Sequence, residues 1–131
     1  MPIPCVDIVV VHQNKALLVN RTNYPAKGEW WLPGGRVLKG ELSVQTAKRK
    51  AREELGVDVL VGPLVHAEET IFLIGPTGTP VHTVNTCFYV SLVDSLSSLS
   101  VDHQHDDIRW IEKLDDSLHP YIKRCLIAAG F

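Results

Sequence analysis

The chain has 131 residues, of which 45% are hydrophobic and 21% are charged, with a formal net charge of −2 at pH 7. These values are typical of a globular protein, so we expect residues 1–131 to form a single domain with one core. The charge gives no electrostatic basis for binding nucleic acid, and no apolar run is long enough to predict a membrane span or signal peptide, so we expect a cytoplasmic protein.

The first predicted elements are two strands. Residues 5–11 are β-branched and apolar except for Asp7, which is typical of a strand buried on both faces. The polar run at 12–14 predicts a turn, and residues 15–20 predict the returning strand. Cys5, Cys87 and Cys125 are odd in number and lack metal-ligand spacing, which predicts reduced cysteines.

A helix is predicted after residue 42. Ser43 is a good N-cap, and Gly56 can take the left-handed conformation that ends a helix. Apolar side chains recur at helical spacing and predict a buried stripe of Val44, Ala47, Ala51 and Leu55.

The second half of the chain predicts further strands and a last helix. A short strand is expected at 57–61, and residues 66–74 and 81–93 predict a long hairpin around the Gly- and Pro-rich segment 75–80. Residues 94–101 predict a loop, residues 107–111 a last strand, and residues 119–129 a helix. The alternation predicts an α/β fold with a mixed sheet between helices.

The most informative stretch is residues 34–57. Pro33-Gly34-Gly35 predicts a sharp turn at which a ligand can approach the backbone closely. Paired carboxylates beside such a turn suit a hard cation such as Mg²⁺. The spacing resembles the Nudix box, the signature of hydrolases that cleave nucleoside diphosphates linked to another moiety, with a divalent metal. The matching positions are Gly35, Glu41, Arg49, Glu53, Glu54, Gly56 and Val57. This resemblance implies an α/β/α sandwich.

One position departs from that pattern. Lys50 stands where the family usually has a glutamate that binds metal or positions the attacking water. A lysine removes one carboxylate and places a positive charge one helical turn before Glu54. Either the chain is catalytically inactive, or its general base lies elsewhere.

Two outlying segments favour the second alternative. Residues 21–37 and 103–110 resemble segments of the GDP-mannose mannosyl hydrolases, a Nudix branch that does without that glutamate. The resemblance covers about residues 6–110. Those enzymes attack the anomeric carbon of the sugar, releasing GDP and free sugar with inversion.

The resemblance implies a role for each matching residue. The carbonyl of Gly34, Glu54 and Gln104 would hold Mg²⁺, for which Mn²⁺ could substitute. His105 would be the general base, and its titration near neutrality suits that task. Glu53, which is apolar in that branch, is a further potential metal ligand. The cations facing the departing diphosphate would be Arg21 and Arg36.

Three functions therefore remain open. The first is a nucleotide-sugar hydrolase that attacks carbon, and the second is a Nudix pyrophosphatase that attacks phosphorus in a nucleoside diphosphate derivative or a modified nucleoside triphosphate. The third is a nucleotide-binding module without activity. The base and the sugar are not readable from the sequence, and a homodimer is left open.

Overall fold

The structure is a computed structural model that describes residues 1–22, 26–93 and 107–131. Within these residues, seven strands form one mixed sheet and two helices pack against it. The helices are α1 (Ser43–Leu55) and α2 (Pro120–Ala128). The strands are β1 (Ile3–His12), β2 (Lys15–Asn20), β3 (Trp30–Trp31), β4 (Gly34–Arg36), β5 (Val59–Phe72), β6 (Val81–Leu92) and β7 (Ile108–Ile111).

Strand β1 is the centre of the sheet. It pairs in parallel with β6, from Ile3 opposite Thr83 to Val10 opposite Val90, and antiparallel with β2 and β4. The path of the sheet is β3-β2-β1-β6-β5, with β4 on β1 and β7 on β2. Since β1 has neighbours on both edges and helices on both sides of the sheet, its apolar sequence is explained, and the predicted α/β fold is confirmed.

The two faces of β1 supply two halves of the core. Ile8 and its alternate neighbours pack with α1 residues such as Ala47 and Ala51. Val9 points to the other face and packs with α2 residues such as Ile122. The burial predicted for both faces of this strand is confirmed.

The start of α1 differs from the sequence-based prediction. The N-cap is Leu42, whose N–H donates to Gln45 Oε1 (2.8 Å), and Ser43 is already helical. Val44 is exposed, at 42% of its surface, whereas Thr46 is fully buried. The predicted cap and the predicted burial of Val44 are therefore wrong. The reason is that the Thr46 hydroxyl turns inward to donate to Glu41 Oε1 (2.7 Å), which fixes the face that the first turn buries.

Strand boundaries also differ in part. The two strands predicted at 57–61 and 66–74 are one continuous strand, β5, which passes two register shifts between Val61 and His66. Gly62 and Pro63 lie where the pairing register with β6 shifts, and an edge strand tolerates such an irregularity. The short strands β3 and β4 were not predicted because two or three residues show no periodicity.

Other predictions are confirmed. Gln13 and Asn14 form the first turn with positive φ angles of 51° and 62°, and all three cysteines are free. The helix predicted at 119–129 is α2 (Pro120–Ala128). Its N-cap is His119, to which no role was assigned from the sequence and whose Nδ1 accepts from the Tyr121 N–H (3.0 Å). The loop predicted at 94–101 lies outside the described residues. In the part of the chain that is described, no helix combines the length and hydropathy needed to cross a membrane.

Gly34 leaves no space for a side chain. A Cβ there would lie 2.2 Å from the Val6 carbonyl oxygen and 2.9 Å from Asp7 Cα. Because these are backbone atoms of the central strand, we expect Gly34→Ala to lower the free energy of unfolding by about 1–3 kcal/mol or more. Urea denaturation would measure the loss.

Gly78→Ala is the matched control for that substitution. Gly78 has a φ of 82° and open space around its Cα, so alanine there costs only the left-handed backbone strain, about 1–2 kcal/mol, without the additional backbone clash expected at Gly34. If the two variants lose equal stability, the close approach of Gly34 to β1 is not what requires a glycine.

Candidate active site

The carboxylate of Glu54 lies between the last turn of α1 and the glycine turn. Its Oε2 accepts from the Gly34 N–H (3.0 Å), and its Oε1 lies 3.6 Å from Lys50 Nζ. The side chain is 30% exposed. Burial raises the pKa of Glu54, while Lys50, the Gly34 N–H and Arg21 oppose the rise. A half-buried carboxylate with few donors is suited to receive a cation.

Glu53 has a different environment from its neighbour. Both of its oxygens accept from Arg49 Nη1, at 3.0 and 3.2 Å, and Lys50 Nζ lies 3.4 Å from Oε1. The bond from Arg49 lowers the pKa of Glu53, and Lys50 adds to the effect. Its side chain is 48% exposed. The two adjacent carboxylates thus have different partners: Glu53 is bound by the Arg49 guanidinium, whereas Glu54 faces the glycine turn.

Arg49 ties α1 to the segment that precedes it. Its Nε donates to Glu41 Oε2 (2.8 Å) and its Nη2 donates to the Arg36 carbonyl (2.9 Å). Glu41 also accepts from the Thr46 hydroxyl and from the Leu38 N–H (3.1 Å). These bonds lower the pKa of Glu41 to about 2, and the bond from Arg49 has the largest effect. Arg49 and Glu41 therefore hold the shape of this region, and neither lines the cavities described below.

Replacement of Glu41 should destabilise the protein in a pH-dependent way. The pKa of Glu41 is about 2 in the folded protein and 4.5 normally, so its contribution is complete above pH 4.5 and is lost as the pH falls towards 2. We expect Glu41→Gln to lower Tm by several degrees at pH 7, with a smaller difference from the parent at pH 3. Thermal unfolding of both proteins at pH 7 and at pH 3 measures the two differences in Tm. A pH-independent difference would mean that Glu41 acts only through packing.

A cavity of about 270 Å³ opens in front of Glu54. We call it the Glu54 cavity. Arg21, at the end of β2, lines it, and so does the Lys50 side chain. The structure thus brings together three of the residues predicted from the sequence, Arg21, Gly34 and Glu54, whereas Arg36 and Glu53 do not line this cavity. The Glu54 cavity is lined chiefly by Arg21, Thr22, Gly34, Gly35, Lys50 and Glu54.

A second cavity adjoins the first across the glycine turn. Arg21, Gly34 and Gly35 line both, and Arg36 lines the second one only. Its walls include the rings of Trp31 and Phe72, whose centroids lie 5.9 Å apart. We call it the Asp7 cavity. It is lined chiefly by Asp7, Arg21, Trp31, Arg36, Phe72 and Asn85.

Asp7 forms the polar floor of this cavity. Its Oδ2 accepts from the Tyr121 hydroxyl (2.6 Å) and from Asn85 Nδ2 (3.2 Å). Burial raises the pKa of Asp7 to about 6, although both hydrogen bonds and Arg21 act in the opposite direction. Sequence reasoning gave Asp7 no role. The signal was present, because Asp7 is the one acidic residue in an otherwise apolar strand.

Gln104 and His105 lie outside the described residues. The described chain resumes at Asp107, whose carbonyl accepts from the Asn20 N–H (3.0 Å). Asn20 itself lines the Glu54 cavity.

Comparisons with known proteins agree with this geometry. The family model for the NUDIX domain matches residues 1–121. The chain belongs to the Nudix hydrolase family. This Nudix hydrolase is 39% identical to the low-salt glycan biosynthesis protein Agl8 of Haloferax volcanii, over 98% of this chain and 82% of that protein. It is 30% identical to the ADP-ribose pyrophosphatase of Methanocaldococcus jannaschii, over 83% of this chain and 75% of that protein.

Solved structures show the same fold. The MutT Nudix hydrolase from Burkholderia pseudomallei has a TM-score of 0.76 against this Nudix hydrolase, at 23% identity and with 98% of each chain covered. A Nudix hydrolase from Nitrosomonas europaea gives a TM-score of 0.75 at 20% identity, over 99% of this chain and 89% of that one. At these identities the likeness concerns the fold.

Enzymes of this family generally use a divalent metal. In this Nudix hydrolase, Glu54 offers a half-buried carboxylate beside the backbone of Gly34, whose N–H donates to it. Among the described residues, no three His, Cys, Asp or Glu side chains are grouped as a metal site. Among the described residues, the Glu54 carboxylate and the backbone of Gly34 are the groups that could contribute ligands to a divalent ion, which also accepts water and substrate oxygens as ligands.

Proposed function

We propose that this Nudix hydrolase cleaves a nucleotide sugar between the sugar and the diphosphate, in the manner of the GDP-mannose mannosyl hydrolases. The observation that carries the proposal is the common wall of the two cavities. A diphosphate in the Glu54 cavity, beside Arg21, leaves its attached sugar on the side of Asp7. The Glu54 cavity thus offers Arg21 and Lys50, beside Glu54, to the diphosphate. The Asp7 cavity offers the buried Asp7 carboxylate, beside Arg36, to the sugar.

That distribution of charge suits attack at carbon. As the bond from the anomeric carbon to the diphosphate oxygen breaks, GDP leaves with the electron pair and positive charge develops on the sugar. Arg21 lines both cavities and stabilises the leaving group, Arg36 does so from the adjoining Asp7 cavity, and Asp7 stabilises the sugar. Water supplies the new oxygen on the anomeric carbon, and its proton goes to a general base.

We assign that base to His105. Lys50 occupies the position of the α1 glutamate that usually binds metal or positions the attacking water. The described chain resumes at Asp107, two residues after His105. The Asp107 carbonyl accepts a hydrogen bond from Asn20, which lines the Glu54 cavity. Gln104, the Gly34 carbonyl and Glu54 are the proposed ligands of Mg²⁺, with Mn²⁺ as a substitute. Glu53 is a further candidate, although Arg49 holds both of its oxygens. When bound, the metal neutralises charge on the diphosphate.

The named relatives support the substrate class. One is a glycan biosynthesis protein and another acts on ADP-ribose, a nucleoside diphosphate that carries a sugar. The second relative also favours the alternative of a pyrophosphatase that attacks phosphorus. The third hypothesis is an inactive nucleotide-binding module, and it is supported only by Lys50 at the position of the usual glutamate.

Product analysis separates the three. The protein should be incubated with a panel of nucleotide sugars and Mg²⁺, and the released nucleotide and reducing sugar measured. GDP with free sugar supports the proposal, GMP with sugar phosphate supports the pyrophosphatase, and no product supports the inactive module. Hydrolysis in ¹⁸O-water should label the anomeric oxygen and leave the diphosphate unlabelled.

A further inference from the structure

We propose that the Lys50 ammonium is a built-in cation that takes up part of the charge of the Glu54 carboxylate and weakens the binding of a divalent ion there. A second metal ion would need a second carboxylate, and at that position in α1 this chain has the positively charged side chain of Lys50. The inference rests on the proposed metal role of Glu54 and deepens it.

The position of the ammonium carries the inference. Lys50 Nζ lies 3.4 Å from Glu53 Oε1 and 3.6 Å from Glu54 Oε1, so one charge faces both carboxylates. The lysine side chain is 19% exposed, and it lines the Glu54 cavity together with the carboxylate. A divalent ion on Glu54 would therefore have this ammonium as a close neighbour.

Gly35 makes this position accessible. A Cβ on Gly35 would lie 2.7 Å from Lys50 Cε and 3.1 Å from Cδ. The aliphatic part of the lysine thus passes directly over the glycine turn, and its charged end reaches the carboxylates from the cavity side. Lysine commonly packs its aliphatic stem in this way, and the distances from Nζ to Glu53 and Glu54 show where the ammonium lies.

The electrostatics agree with the geometry. Among the groups that oppose the burial-induced rise in the pKa of Glu54, Lys50 has the largest effect. Two cations within several ångströms repel each other appreciably even at the effective dielectric of a protein surface. Removal of the ammonium should therefore tighten the binding of a divalent ion by about tenfold or more.

The test is direct binding of Mn²⁺ to the full chain without substrate, followed by electron paramagnetic resonance of the free ion. Lys50→Met keeps the length of the side chain and removes its charge, and it should bind Mn²⁺ about tenfold more tightly than the parent. Lys50→Glu replaces the cation by a carboxylate, and it should tighten binding further or add a second ion. Lys48→Met is the control, because Lys48 is exposed on the same helix and lines neither the Glu54 nor the Asp7 cavity.

Each outcome is decisive. A lower Kd for Lys50→Met, with Lys48→Met within about twofold of the parent, supports the inference. Equal Kd values for the two methionine variants, or weaker binding after loss of the Lys50 charge, overturn it. Circular dichroism confirms that each variant is folded. Because binding is measured without substrate, a failure to hydrolyse nucleotide sugars would overturn the proposed function and leave this result intact.

Discussion

Replacement of His105 by glutamine should lower kcat by about 10²–10⁴-fold, the usual contribution of a general base. The expectation follows from Lys50, which leaves α1 without a glutamate at that position, and from the resemblance of residues 103–110 to a branch that does without that glutamate. Glutamine keeps hydrogen-bonding capacity but cannot take the proton of the attacking water. The limb of the pH–rate profile that rises towards neutrality should disappear with the histidine.

His103→Gln is the matched control for this variant. It removes an imidazole two residues away, and the resemblance gives that residue no role, so we expect kcat within about threefold of the parent. Equal losses in the two variants would assign the effect to the segment as a whole. Full activity in His105→Gln, or ¹⁸O found in phosphate, would show that the base or the attacked atom differs from the proposal.

Replacement of Glu54 by glutamine should lower activity by about a hundredfold or more, as the loss of charge stabilisation commonly does. The substitution isolates the charge, because a glutamine oxygen can still accept from the Gly34 N–H, which Glu54 Oε2 does at 3.0 Å. We therefore expect the variant to retain the parent's Tm within a few degrees. Its affinity for Mn²⁺, measured without substrate, should fall together with its activity.

Glu53→Gln is the comparison that the structure offers. Glu53 is half-exposed and both of its oxygens accept from Arg49. We therefore expect Glu53→Gln to lower activity by about tenfold or less. Near-full activity of Glu54→Gln at limiting Mg²⁺ would refute the ligand assignment. A larger loss for Glu53→Gln than for Glu54→Gln would exchange the roles of the two carboxylates.

The turn and helix of the active site could be predicted from the sequence because their determinants are local. A glycine pair, a helical stripe and a left-handed stop at Gly56 lie within a short stretch, and they bring Glu54 next to Gly34. The different environments of Glu53 and Glu54 could not be predicted. They depend on Arg49, which also reaches back to Glu41 and to the Arg36 carbonyl.

The floor of the Asp7 cavity was beyond sequence reasoning for a different reason. Asp7 is bonded to Asn85 and Tyr121, which are 78 and 114 residues away along the chain. No periodicity or motif connects residues at such separations. An acidic residue in a buried strand does imply that a distant donor exists, although the sequence does not say which one.

Two of the errors arise from contacts that apolar periodicity does not show. Gly62 and Pro63 interrupt the pattern of β5, but pairing with β6 resumes on both sides of them, so the strand continues. Val44 has the spacing of a core residue, but the hydroxyl of Thr46 is held inward by Glu41. In the first case the distant strand β6 decides the outcome, and in the second case a carboxylate just before the helix does.

The parallel pairing of β1 with β6 has a consequence for biosynthesis. Ile3 pairs with Thr83, so the ribosome must add 80 further residues before the central strand can meet that neighbour. At translation rates of about 5–20 residues per second, β1 stays without it for roughly 4–16 s. During that time an apolar, β-branched segment is available to other nascent chains. Yield of soluble protein should therefore depend on expression temperature and on chaperones that bind exposed strands near the N-terminus.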